Sequence, residues 1–226
     1  MPTALKELYF SSEFVRQLAD VMGQVYAPFD RARFLELALD EAWPGRELKD
    51  RMRHLSRCLH AVLPAAYPET LPFLLQAAPS FRGLQAMVFC DYIEVYGLEH
   101  WELSLPALGE LTPLGSSEFA VRPYLDRDPE RALPYLRAWT GDPDPAVRRL
   151  ASEGSRPRLP WAMALPKFKQ DPALVLEILE LLKDDPSEMV RKSVANHLND
   201  ISKDHPDVAV CWAFGLGVLV GWKLKP

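Results

Sequence analysis

A run of cations around one tryptophan, with three carboxylates at helical distances from it, holds the residue types of this chain whose spacing could do chemistry. Residues 154–170, GSRPRLPWAMALPKFKQ, contain no Asp or Glu but carry Arg156, Arg158, Lys167 and Lys169 on either side of Trp161. An aromatic ring among cations, held by Pro157, Pro160 and Pro166, is the composition expected where a phosphate backbone is gripped and a base is met by a ring. Just upstream, Arg149, Glu153 and Arg156 stand at i, i+4 and i+7, the spacing of one helix face. Their counterparts 43 residues on are Lys192, Asn196 and Asn199, with Asp200 one residue further. Glu118, in SSEFAVRPYL, falls one helix layer before Glu153. Acids from successive layers facing a basic wall weaken anion binding, so they are costly to place there without purpose. The plainer readings are a salt-bridge partner for each acid, a solvated helix face for the cations, and a core position for Trp161. Other chemistries find no support. No His pairs with Ser or Cys as a nucleophile, no Gly-rich phosphate loop exists, and His197 is expected to be a packed or solvated helix residue. Cys58, Cys90 and Cys211 have neither CxxC spacing nor a His at ligand spacing, so neither a disulfide framework nor a zinc site is expected.

Positioning these residues is a matter of helices. The chain has 226 residues, 48% hydrophobic and 25% charged, which is globular and enough for one large or two small domains. It has 21 prolines, well above the ~5% average, and between them apolar residues recur at helical spacing with little alternation. Residues 128–142 and 171–185 both open with Asp-Pro, an N-cap followed by a residue tolerated in the first turn. Laying Val147-Arg148-Arg149 on Val190-Arg191-Lys192, a shift of 43 residues, aligns Asp144-Pro145 with Asp185-Pro186 across a two-residue gap, and the preceding helices shift by the same 43 residues. HEAT-type helix pairs repeat every ~40–47 residues. The expected fold is therefore all-α, a HEAT-like repeat α-solenoid, a superhelix of antiparallel helix pairs. Val147, Leu150, Ala151 and Val190, Val194, Leu198, Ile201 make its packed stripe, while Arg148 and Arg191, at the repeat's signature position, are expected in structural ion pairs between repeats. Residues 68–78, 84–96, 103–111 and 117–125 continue the helical pattern, and 1–43 form an N-terminal cap of a domain spanning 1–208. Residues 209–226, with Gly215, Gly217 and Gly221 among apolar residues, are an atypical tail. No secretory signal opens the chain and no apolar run reaches the ~18–20 residues of a membrane span, so a cytoplasmic protein without a membrane partner is expected.

The strings SSEFAVRPYL, VRRLASEGSRPRLPWA and VRKSVANHLNDISKDHP resemble the AlkC group of the AlkC/AlkD superfamily, bacterial DNA glycosylases built from HEAT-like repeats, over about residues 5 to 208. The resemblance implies excision of 3-methyladenine and 3-methylcytosine from duplex DNA by a monofunctional N-glycosyl hydrolase, without metal or cofactor. It implies catalytic roles for Glu118, Glu153, Trp161 and Asp200. Arg149, Arg156, Arg158, Lys167, Lys169 and Lys192 would lie on the DNA, with Tyr26 as a further contact. The protein is expected to be a monomer, nucleoid-associated when bound to DNA. An N3-alkylated base is a cation and already a good leaving group, so the acids would stabilise the sugar's developing oxocarbenium. Trp161 would add a cation-π contact of ~0.5–2 kcal/mol. After Asp207 the family continues with another amphipathic repeat, from which the tail departs. A non-catalytic HEAT-repeat scaffold binding protein or DNA is the competing reading. It leaves Glu153, Asp200 and Trp161 dispersed or buried in salt bridges, whereas a glycosylase needs them to converge on an open pocket flanked by Arg149, Arg156 and Arg158.

A net charge of -5 does not exclude DNA. Residues 1–113 hold 10 basic and 15 acidic residues, while 114–203 hold 14 of each, so the acidic excess lies away from most of the candidate residues. A narrow basic groove on an acidic body is the expectation.

Overall fold

Residues 4–208 of the computed structural model are described, and their regular structure is helical throughout, with no strand among them. The chain divides into two compact units, Met1–Ala120 and Val121–Pro226. The first unit contains α1 (Leu5–Tyr9), α2 (Ser12–Val25), α3 (Arg31–Ala38), α4 (Leu48–Val62), α5 (Tyr67–Ala77), α6 (Met87–Tyr96) and α7 (Trp101–Leu111), with short 3-10 turns at Trp43–Gly45, Ala78–Ser80 and Gly83–Gln85. Ser11 caps α2 by accepting from the Phe14 amide, and Phe14, Val15, Leu18, Ala19 and Met22 form its buried stripe. That stripe packs on α3 and α5, while α4 packs on α3 and α6. Arg51 is buried in α4, where its guanidinium donates to the carbonyls of Lys6 and Phe10 and to Glu7, closing the end of α1. Its charge also lies over the Trp43 ring.

The second unit contains α8 (Arg122–Arg127), α9 (Pro129–Trp139), α10 (Pro145–Glu153), α11 (Pro166–Gln170), α12 (Ala173–Leu182) and α13 (Glu188–Ser202). Asp128 caps α9 through the Arg131 amide and Asp144 caps α10 through the Ala146 amide, each followed by Pro in the first turn. α10 packs on α9, α12 and α13. Val147, Leu150 and Ala151 are buried on one side and Val190, Val194 and Ile201 on the other. Leu198 is only half-buried; Ser193, His197 and Asp200 take the remaining buried places on α13.

The 43-residue repeat is visible in hydrogen bonds. Arg148 Nη1 donates to Asp142 O and Pro143 O, and Arg191 Nη1 donates to Asp185 O and Pro186 O. The Asp142 carboxylate accepts from the Asp144 amide as that of Asp185 accepts from the Ser187 amide. The equivalent of Asp185-Pro186 is therefore Asp142-Pro143 and not Asp144-Pro145, because only that pair lies one arginine's reach from its carbonyls. Arg148 also makes a two-pronged pair with Asp185 of the next repeat, at 2.6 and 3.0 Å.

Two further expectations change. The helix expected over 117–125 begins only at Arg122, with Pro123 in its first turn; turns precede it, and Ser116 is left-handed at φ 109°. Proline is also more than punctuation, since Pro72, Pro106 and Pro134 lie inside α5, α7 and α9, each at the sixth residue. A proline there removes one backbone bond and bends the helix at a fixed place. The apolar tail, 209–226, lies outside the described residues.

Candidate functional site

α10 stops where the site begins. At Gly154 a Cβ would come within 2.7 Å of Val121 Cγ1 and 2.8 Å of Leu150 O, so the close approach of these elements requires glycine. Arg156 consequently lies beyond the helix, not at i+7 on its face. From there its Nη1 donates to Glu153 Oε1 at 2.7 Å and its Nε to Asp200 Oδ2 at 2.9 Å. Two carboxylates 47 residues apart in sequence are thus brought to one guanidinium. Glu153 is 6% and Asp200 2% exposed. A buried acid pair repels itself and loses hydration, and a cation set between the two offsets both terms. Burial opposes the Arg156 charge, but the hydrogen bonds to Asp200 and Glu153 outweigh it and raise its pKa.

Neighbouring side chains complete the acids' coordination. Ser193 Oγ donates to Glu153 Oε2 at 2.6 Å, Arg149 Nη2 lies 3.7 Å from Glu153 Oε1, and Lys203 Nζ donates to Asp200 Oδ1 at 3.2 Å. His197 is fully buried beside them with Nδ1 2.9 Å from Ser152 O. A carbonyl accepts only, so Nδ1 carries the proton and Nε2 does not. Burial pushes the imidazole pKa down to about 3, keeping it neutral. His197 is thus packed, one of the two places its sequence left open. Above this floor a hollow of about 400 Å³ is lined by Arg149, Glu153, Glu188, Met189, Lys192, Ser193 and Asn196. The spacing of the two repeats had put Arg149 beside Lys192 and Glu153 beside Asn196, and all four share this hollow.

The basic stretch leaves α10 as a loop that ends at α11. Trp161 is 74% exposed and holds φ at 65°, a left-handed conformation that costs a bulky residue ~1–3 kcal/mol. The reading of Trp161 as a core residue is therefore overturned. Arg158 pairs with Asp204, and Lys167 donates to the Asp126 and Arg127 carbonyls at the end of α8. Lys169 is half-buried, and its carbonyl faces His205 Nε2. Lys192 is exposed and pairs with Glu188 one turn earlier. Glu118 and Tyr26 belong to the first unit: Glu118 is buried after α7, and the half-buried Tyr26 ring sits 4.7 Å from Phe73.

Glu153 and Asp200 therefore converge, which a scaffold did not require, and they do so inside salt bridges, which a glycosylase pocket did not. The sequence reading passed over three contributors: Ser193, Lys203, and Arg122, whose guanidinium donates to the Gly154 and Met163 carbonyls. Arg122 stands in SSEFAVRPYL, a string used only for Glu118, and repeats the Val-Arg doublet of Val147-Arg148 and Val190-Arg191. Ser193 follows Lys192 directly, but nothing in a serine's type announces a carboxylate partner.

Residues 115–211 match the family described as DNA alkylation repair enzyme. Glu118, Glu153, Trp161 and Asp200 all lie within that span. Uncharacterized protein YhaZ of Bacillus subtilis (strain 168) is 50% identical over 225 residues, 98% of this chain and 62% of that protein. The solved alkylpurine DNA glycosylase AlkC of Pseudomonas fluorescens, bound to DNA containing an abasic site analog, is 43% identical with a TM-score of 0.87. That match covers 94% of this chain and 59% of the solved one. The chain spans about three fifths of the length of both relatives. The fold class is accordingly all-α, a HEAT-like repeat α-solenoid.

Proposed function

We propose, since the chain belongs to the AlkC-like DNA alkylation repair proteins, that it is a DNA glycosylase excising positively charged N3-alkylated bases from duplex DNA. 3-Methyladenine and 3-methylcytosine are the substrates of this reading. The observation that carries it is the meeting of Glu153 and Asp200 on Arg156, in the loop that presents Trp161. Such a base leaves as a neutral molecule once its glycosidic bond breaks, so the protein has little general-acid work to do. What develops in the transition state is positive charge on the deoxyribose, and two fixed carboxylates placed beside it act where that charge grows. Glu153 and Asp200 fill this role and orient the water that attacks the sugar carbon. Arg156 holds both in place while no substrate is present. Trp161 meets the cationic base or the sugar face. Arg149 and Lys192, at the rim of the hollow, engage backbone phosphates, joined by Arg158, Lys167 and Lys169. The products are the free alkylated base and an abasic site.

A second reading has an observation of its own. Burial of Glu153 and Asp200 in ion pairs is what a non-catalytic, DNA-binding repeat protein would also show. Incubation with duplex DNA carrying 3-methylcytosine or 3-methyladenine, assayed for released base, separates the two. Release of base from alkylated duplex and not from unmodified duplex is expected. Binding of the alkylated duplex with no release would leave only the scaffold.

A further inference from the structure

Arg122 is fully buried, and among the described residues its guanidinium donates to backbone carbonyls. Its Nε donates to Met163 O at 2.6 Å and its Nη1 to Gly154 O at 2.9 Å. These two carbonyls flank the stretch that carries Arg156, Arg158 and Trp161. Between them the loop has few backbone bonds, notably Ala162 N to Leu159 O and Leu165 N to Pro157 O. Trp161 meanwhile sits in a left-handed conformation with its ring mostly exposed, so burial of the ring does not offset the strain. A strained residue persists only where its surroundings over-determine it. Among the described residues, Arg122 is the side chain that donates to both ends of this loop. A planar fork can serve two carbonyls at once; an ammonium serves them less well, and an apolar chain leaves both without this donor.

We propose that Arg122 is a positioning residue: it holds the 154–163 loop in the one shape that exposes Trp161, in the same loop whose Arg156 joins Glu153 and Asp200. The inference rests on the glycosylase reading and deepens it, since it assigns the loop's geometry to a residue that touches neither DNA nor base. Burial lowers the Arg122 pKa to about 10, with Arg156 adding to the shift and Asp200 and Glu153 opposing it. The group therefore stays charged at neutral pH. With Arg156 it balances the two buried carboxylates, so the loop's pin is also the acids' second counter-charge.

The test compares full-length wild type, Arg122→Met and Arg122→Lys, all below the onset of thermal unfolding. Trypsin does not cut Arg156-Pro157, so cleavage after Arg158 reports release of the loop. Cleavage after Arg137 in α9 reports unfolding of the same unit. In Arg122→Met, cleavage after Arg158 should accelerate about tenfold with that after Arg137 unchanged. Single-turnover excision should fall by about a hundredfold, the scale of an ångström's misplacement, while affinity for unmodified duplex stays within a few-fold. Arg122→Lys should recover part of both losses. Unchanged cleavage after Arg158 would overturn the proposal, and so would a freed loop with unaltered excision, or equal losses of rate and affinity. If wild type releases no base, the glycosylase reading fails separately, and the trypsin comparison still decides whether Arg122 holds the loop.

Discussion

Asp200 is the residue at which chemistry and architecture can be told apart. It is held by Arg156 on one oxygen and Lys203 on the other, and it lies on the buried face of α13. If its charge stabilises the sugar cation, Asp200→Asn keeps the shape and one acceptor but removes the charge. Excision should then drop by about 10²–10³-fold, the loss typical of one electrostatic stabiliser. DNA affinity should stay within a few-fold, measured by base release and filter binding on the same preparation. Equal loss of both would make Asp200 structural. The residue types at this site were legible in the sequence, because an acid-free basic stretch beside carboxylates of two repeats is unusual. Their burial was not. Helical spacing placed Arg156 on the face of α10, and only the stop at Gly154 shows that it turns back onto Glu153 and Asp200.

At the scale of elements, the repeat was legible because Asp-Pro caps and Val-Arg doublets have their own chemistry wherever they stand. The register was harder, because Asp142-Pro143-Asp144-Pro145 offers two Asp-Pro caps; the ungapped 43-residue shift and the carbonyls facing Arg148 both select the first. That choice makes Asp185 the joint between repeats. Its carboxylate accepts twice from Arg148 and once from the Ser187 amide, and the Arg148 hydrogen bonds hold its pKa below the usual carboxylate value. Asp185→Asn should cost about 1–3 kcal/mol in urea unfolding at neutral pH. Asp142→Asn, whose amide oxygen can still accept from the Asp144 amide, should cost less. A carboxylate with a lowered folded-state pKa stabilises above its unfolded value and loses that contribution as pH falls through the folded one. The gap between wild type and Asp185→Asn should therefore close below about pH 4. A gap that persists there would mean that the Arg148 pair contributes little.

Over the whole chain, the acidic excess in residues 1–113 and the charge balance of 114–203 make a quantitative claim about DNA. Within the second part the cations are not equivalent. Arg156 is committed to two buried acids, Arg158 to Asp204, and Lys167 to carbonyls at the end of α8. Arg149 and Lys192, paired with Glu153 and Glu188, line the open hollow, where a phosphate can reach them. Each phosphate contact contributes about -0.9 to the slope of log affinity against log salt. Arg149→Gln with Lys192→Gln should flatten that slope by about 1.8 and lower the unfolding midpoint far less than loss of Arg156 does, since Lys192 is exposed and the half-buried Arg149 lies 3.7 Å from Glu153. Arg156→Gln should do the reverse. It strands Glu153 and Asp200 without their shared cation, so the unfolding midpoint falls while the salt slope changes little. A slope that flattens as much for Arg156→Gln would mean that Arg156 leaves its carboxylates for a phosphate when DNA binds, and that the buried acid pair is opened by the substrate itself.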